Sequence, residues 1–272
     1  MDSFNYEPHI HEDPSFPIIF HLSSAQRSGS FFIHWHESIE ILFIVEGSVV
    51  VISDTNQVTA AKGDIAVINS GNIHNIKSID EISKYYCLII DKKLCEEFGL
   101  YIEELVFQRQ ISDETARSKF DVIRHEMLSK MVLYKSAVKS AIIDFLIYLY
   151  RNYILNEAPW SKHVNIKINI IKQSIKYHQD NHHKDISPSD IAREIGLSES
   201  YFCRAFKEIT GYTAMHYLNH IRCTNAKKLL QTGTYTVGEA ALSCGYNNFS
   251  YFSKTYKKHI GYLPSECRIN KD

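Results

Sequence analysis

The sequence predicts an α+β fold in two parts, a β-rich N-terminal half closed by helices and an all-α C-terminal domain. Three observations carry this expectation. Apolar residues come in short, strand-like runs from Phe31 to about Ile90, then recur at three- and four-residue steps from Lys92 onward. A repeat with a fixed offset occupies the last hundred residues. The net charge of −1 conceals an opposition: residues 162–272 hold 16 Lys+Arg against 9 Asp+Glu, whereas residues 1–161 hold 14 against 22. A chain of 272 residues has room for two cores, and 44% hydrophobic with 22% charged residues excludes a disordered chain.

Taking the elements in order, Pro8, Pro14 and Pro17 predict an extended arm. The runs Glu40–Val45, Val49–Ile52, Ile65–Ile68 and Tyr85–Ile90, separated by Gly, Asn, Asp and Ser, predict a small barrel or sandwich. Leu94, Phe98, Leu105 and Phe107 suggest one or two short helices. Thr115–Lys130 carries Phe120, Ile123 and Met127 as a helical stripe. A longer helix, Met131–Leu155, gathers Val138, Ala141, Ile142, Phe145, Leu149 and Tyr153 near one face. Ile143, Ile147, Tyr148 and Tyr150 lie on its other faces, and a helix apolar nearly all round needs cover on more than one side. A homodimer through this region is the expectation. Asn156–Ser161, with Pro159, reads as a linker. The expected division is 1–110, 111–158 (dimerisation helices) and 159–272.

The N-terminus has Asp2, Glu7, Glu12 and Asp13 where a signal peptide would be basic. The most apolar run, Ala141–Tyr150, is interrupted by Asp144 and is about half a membrane span. The six cysteines (87, 95, 203, 223, 244, 267) form no CxxC pair and read as reduced thiols. A cytoplasmic protein with no membrane partner is expected.

The repeat carries the functional signal. At an offset of 50, Tyr201-Phe202 matches Tyr251-Phe252, Phe206-Lys207 matches Tyr256-Lys257, and Gly211-Tyr212 matches Gly261-Tyr262. Upstream, Ala192 and Gly196 match Ala241 and Gly245, with one extra residue in the second turn. Each copy reads helix, glycine turn, helix, glycine stop. Ser187-Pro188-Ser189-Asp190 and Thr236-Val237-Gly238-Glu239 are capping-box sequences, and Ser198 and Asn247 or Asn248 can cap the second helices. Ile191, Ile195, Leu197, Phe202 and Phe206 would lock the first pair, leaving the outer face of its second helix free for a major groove. A long helix over His216–Leu230 would separate the two units.

The stretch Ile186–Arg268, preceded by a first helix over Val164–Gln179, resembles the DNA-binding domain of the AraC/XylS family of bacterial transcription regulators. The pattern includes Ile191-Ala192, Gly196, Leu197-Ser198, Tyr201-Phe202, Phe206-Lys207, Gly211, Tyr217-Leu218, Arg222, Ala226 and Leu229-Leu230. It continues through Ala241, Gly245-Tyr246, Tyr251-Phe252-Ser253, Tyr256-Lys257, Gly261, Pro264 and Arg268. Ala240, Ala214 and Cys267 depart from it at packing positions. The resemblance implies a double-stranded DNA partner, and RNA polymerase as a partner if the protein activates. It assigns base readout to Ser200, Cys203 and Arg204 in the first unit, and to Phe249, Ser250, Ser253 and Lys254 in the second. Arg204 suits a guanine edge and Phe249 a thymine methyl. Lys207, Lys257 and Lys258 suit phosphates.

In the N-terminal half, His34-Trp35-His36, Glu40 and Gly47 form H-x-H-x3-E-x6-G, followed by Gly63-Asp64, Asn69, Gly71 and His74. In one extended strand, His34, His36 and Glu40 would point to the same side, and His74 from a later strand could join them. This resembles the cupin barrel and the effector-binding domain of many AraC-type regulators. Asn69 stands where proline is usual and Ser78 where an asparagine often closes the second motif. The resemblance implies that His34, His36, Glu40 and His74 bind a small-molecule effector, a sugar or related metabolite, with no cofactor. The same four residues are candidate ligands for Zn, Fe, Mn or Ni. The competing reading is a cupin metalloenzyme, an oxygenase or isomerase, fused to a DNA-binding domain.

Overall fold

The computed structural model describes residues 13–27, 33–54, 56–155 and 166–267. The chain divides into two compact units, one covering Glu7–Val164 and the other containing Asn165–Asp272. Pro8, Val164, Arg268 and the Asn156–Ser161 linker lie outside the described residues.

The first unit contains two antiparallel sheets. One has five strands in the order β1 (Ile18–Gln26), β7 (Ile82–Ile90), β2 (Ile39–Glu46), β5 (Ile65–Ile68) and β8 (Gln110–Ile111). The other orders β4 (Asn56–Ala61), β3 (Ser48–Ser53) and β6 (His74–Ser78). Inner-face residues of both sheets share one core: Leu42, Ile44, Ala66, Ile68, Tyr85, Cys87 and Ile89 meet Val49, Val51, Ala60 and Ile76. The alternate residues of the five-stranded sheet, Ile39, Ile41, Ile65, Val67, Leu88 and Ile90, are buried on its other face. Helices cover that face. After α1 (Lys92–Glu97), α2 (Glu114–Ser129) supplies Phe120 and Ile123, and α3 (Tyr134–Tyr153) supplies Val138, Ile142, Phe145, Leu146 and Leu149. A sheet buried on both faces explains why β2, β5 and β7 read as continuous apolar runs. Residues 111–155 therefore share a core with the strands. The arm also ends earlier in the chain than the strand pattern from Phe31 suggested. β1 begins at Ile18, and its polar run His21–Gln26 hid it from a search for apolar alternation.

In the second unit, α4 (Ile166–Asn181) precedes the repeat. The short helices α5 (Pro188–Glu194) and α8 (Val237–Ser243) have seven residues each, and the longer α6 (Glu199–Thr210) and α9 (Phe249–Ile260) have twelve each. Capping boxes form at Ser187 with Asp190 and at Thr236 with Glu239. Ser198 caps α6 and Asn248 caps α9, each side chain accepting a backbone N–H three residues on. Such caps contribute about 1 kcal/mol each. Gly211 and Gly261 stop the long helices in the left-handed region. Between the copies runs α7 (Ala214–Gln231), which buries Tyr217 against Phe206 of the first copy and Cys223, Ala226 and Leu230 in the core of the second copy. The three departures, Ala214, Ala240 and Cys267, are all buried. No helix among the described residues is long and apolar enough to cross a membrane.

Candidate nucleic-acid interface and ligand cluster

The heptad-free spacing of α6 and α9 puts their aromatic residues inward and their polar residues outward. Phe202, Phe206, Phe252 and Tyr256 are fully buried. On the opposite faces Ser200, Arg204, Lys207, Ser250, Lys254, Lys257 and Lys258 are exposed, and Cys203 and Ser253 are half-buried. Phe249 is 51% exposed, a costly placement for a phenyl ring on a free surface. Arg204 donates only to Ser200 O on its own helix, at 3.3 Å. Among the described residues none of the five cations is held in an ion pair, so each keeps its charge available. The structure adds Tyr201 and Tyr251 to these surfaces, 36% and 52% exposed. The repeat had already matched the two positions with each other, without assigning them to the surface.

In the first unit, His34, His36, Glu40 and His74 converge, with one ligand atom from each lying within 4.8 Å of all the others. The reason is not the single extended strand expected from spacing. His34 pairs in an isolated bridge with His74, a bend at Glu37-Ser38 follows, and Glu40 is the second residue of β2. The bend turns His36 back over Glu40. Glu40 shares the inner face with Leu42 and Ile44, so the alternation of β2 aims its carboxylate into the barrel. His36, Glu40 and His74 are buried, and His34 is half-buried.

Both deeply buried histidines are oriented by backbone. His36 Nδ1 lies 3.0 Å from Ser38 O and His74 Nδ1 lies 2.9 Å from Asn72 O. A carbonyl only accepts, so each Nδ1 carries the hydrogen, and in a neutral ring Nε2 is then a lone pair. Both Nε2 atoms face the same oxygen, Glu40 Oε2, at 3.1 Å. Three acceptors around one point repel unless positive charge sits among them, either as protons on both rings or as a bound cation. Burial pushes the Glu40 carboxyl up, but hydrogen bonds and charge from His36 and His74 outweigh it and hold it well below the usual carboxylate range. Three imidazoles, one carboxylate and backbone-fixed tautomers fit a divalent metal ion.

Spacing did not reveal Cys87, whose thiol donates to Glu40 Oε1 at 3.2 Å and holds the other carboxylate oxygen. The signal was available in the alternation Tyr85, Cys87, Ile89, which places all three on the inner face. The two departures from the cupin pattern have structural partners. Asn69 clamps Phe107 through both amide atoms, at 3.0 and 2.8 Å. Ser78 bonds Asp80 O and Ser83 Oγ.

Comparisons with known proteins agree with this architecture. Residues 191–270 match the family model of a helix-turn-helix domain and residues 21–88 that of a cupin domain. The HTH-type transcriptional regulator YdeC of Bacillus subtilis is 22% identical over 85% of this chain and 84% of its own length. The HTH-type regulator SACOL0084 of Staphylococcus aureus is 24% identical over 85% of this chain, which spans only 31% of that protein. Among solved structures, fatty-acid-bound ToxT from Vibrio cholerae aligns over 92% of this chain and 94% of its own, at 15% identity and a TM-score of 0.47. The C-terminal domain of AraT from Geobacillus stearothermophilus aligns over 38% of this chain and 88% of its own, at 27% identity and a TM-score of 0.36. In chain order the cupin-domain model falls on the first unit and the helix-turn-helix model on the second, and the relatives matched along most of this chain are HTH-type transcriptional regulators.

Proposed function

We propose that this regulator is a one-component switch, in which a small ligand at the His34, His36, Glu40 and His74 cluster changes the affinity of the C-terminal domain for its operator. The convergence of those four side chains inside the barrel is the observation that carries the reading. A ligand shifts such a protein only by its difference in affinity for the two states, commonly about 1–3 kcal/mol. His34, His36, Glu40 and His74 would hold a divalent cation, which when bound supplies a positive centre able to take an oxygen ligand. Hydroxyls of a sugar or related metabolite belong to that class. Cys87 keeps the Glu40 carboxylate turned toward the imidazoles, and the Ser38 and Asn72 carbonyls keep both rings in the required tautomer.

Base readout falls to Ser200, Cys203, Arg204, Phe249, Ser250, Ser253 and Lys254, and phosphate contact to Lys207, Lys257 and Lys258. Exposed Val122, Leu128, Ile147 and Tyr150 on α2 and α3 support pairing of two chains there. An activating role would add RNA polymerase as a partner. The regulator and non-enzyme reading is supported by the regulators to which the chain is similar; turnover of a substrate by metal-loaded protein would instead favour the metalloenzyme.

The test measures operator affinity and melting temperature of the full chain with chelator, with Zn, Mn, Fe or Ni, and with a sugar panel. A ligand bound only by the folded state raises the melting temperature with concentration. The expected result is a shift in both quantities that Glu40→Gln abolishes. Operator affinity indifferent to every metal and sugar that binds would refute the switch.

A further inference from the structure

The repeat explains why the chain has two helix-turn-helix units, but not what holds them in one arrangement. Arg222, in the middle of α7, is only 6% exposed and joins segments from both sides. Its Nε donates to His182 O at 2.8 Å and a terminal nitrogen donates to Lys184 O at 2.7 Å. Those carbonyls belong to the loop that leads into the Ser187 cap of α5. The guanidinium also lies over the Tyr246 ring, 5.5 Å from its centroid, in the turn of the second unit. Asn225, one turn along α7, bonds His182 through its amide at 3.1 Å.

The connection continues into the second recognition helix. Tyr246 Oη donates to Asn219 Oδ1 at 3.1 Å, and Asn219 Nδ2 donates to Tyr251 Oη in the first turn of α9, also at 3.1 Å. Gly245 lets the loop pack against this turn, because a Cβ there would lie 2.7 Å from His182 O. A buried charge bound to two carbonyls and one aromatic face is demanding in geometry, and neither lysine nor an apolar residue reproduces the fork. Apolar packing alone tolerates volume-conserving exchange and leaves orientation less sharply specified.

We propose that Arg222 is the positioning residue that sets the phase between the two units, so that the chain reads DNA only when its half-sites lie at one spacing. This rests on the reading that both units bind DNA. The test uses the full chain and a duplex enriched from random DNA by the wild-type protein. Affinity is measured for that duplex and for one with a single base pair inserted between the two footprinted halves. One base pair turns the second half by about 34° and moves it about 3.4 Å.

Wild type should lose about tenfold or more on the inserted duplex, more than a single mismatched base pair commonly costs at the low end. Arg222→Met should bind the parent duplex more weakly, and its penalty for the insertion should shrink to about threefold or less. The ratio compares two DNAs on one sample, so a smaller folded fraction cancels. Arg222→Lys is read in the same way if the Met variant does not fold. A wild type indifferent to the insertion, or a variant that keeps the full wild-type ratio, would overturn the proposal. Failure to enrich any duplex would instead overturn the DNA-binding reading beneath it.

Discussion

Replacing Gly245 and Gly196 by alanine, one at a time, separates a tertiary contact from a backbone preference. The two glycines occupy matching turns of the repeat, at φ of +79° and +72°. In that left-handed region an alanine costs about 1–2 kcal/mol at either site. Around Gly196 no atom lies within 4 Å of the added Cβ. At Gly245 the Cβ would meet His182 O at 2.7 Å, with the His183 carbonyl carbon and an Arg222 nitrogen each at 3.1 Å. Two of these atoms are backbone and the third is bound in place, so the site must shift, which costs about 1–3 kcal/mol more. Gly196→Ala should therefore lose about 1–2 kcal/mol and Gly245→Ala about 2–5 kcal/mol. Urea unfolding of the full chain, followed by helical ellipticity, measures the difference. Tryptophan emission does not report on this domain, because Trp35 lies in the β-rich unit and Trp160 precedes the helical one. With a slope of about 2 kcal/mol per molar, the two midpoints should differ by about 0.5–1.5 M. Equal losses at the two positions would refute the argument, since only the surroundings of Gly245 distinguish them.

Arg204→Ala should cost about 1–3 kcal/mol on the enriched duplex and relax preference at one base, whereas Lys257→Ala should weaken every sequence and reduce the salt slope by about 1. Anisotropy titrations on specific and random DNA over a salt series check both, and equal loss on the two DNAs would remove Arg204 from base readout. The helical unit should also be acid-labile through His178, which burial holds down to about 4, below its ordinary 6.5. The unfolded chain then takes up the proton first, so stability is complete above about pH 6.5 and falls toward pH 4 by on the order of 3 kcal/mol. The gap between urea midpoints at pH 7 and pH 5 should narrow in His178→Leu without closing, because burial also lowers His220 to about 3 and His259 to about 4; an unchanged pH dependence in that variant would place the effect elsewhere.

The sequence by itself determined the repeat, its caps, its glycine stops and the residues that face outward on α6 and α9. These are local properties: a capping side chain reaches only three residues along, and helical periodicity settles which face is apolar. The same holds for the apolar stripe of α2 and the nearly all-round apolar surface of α3. Tertiary structure alone decided the rest. His36 reaches Glu40 through a bend that no spacing rule encodes, Cys87 joins them from a strand 47 residues away, and β1 pairs along β7 despite its polar sequence. Arg222 looked like one more member of a family pattern, and only folding showed it between two carbonyls and a tyrosine ring. Contacts between residues far apart in the chain depend on loop closure and register, and neither leaves a periodic mark in the sequence.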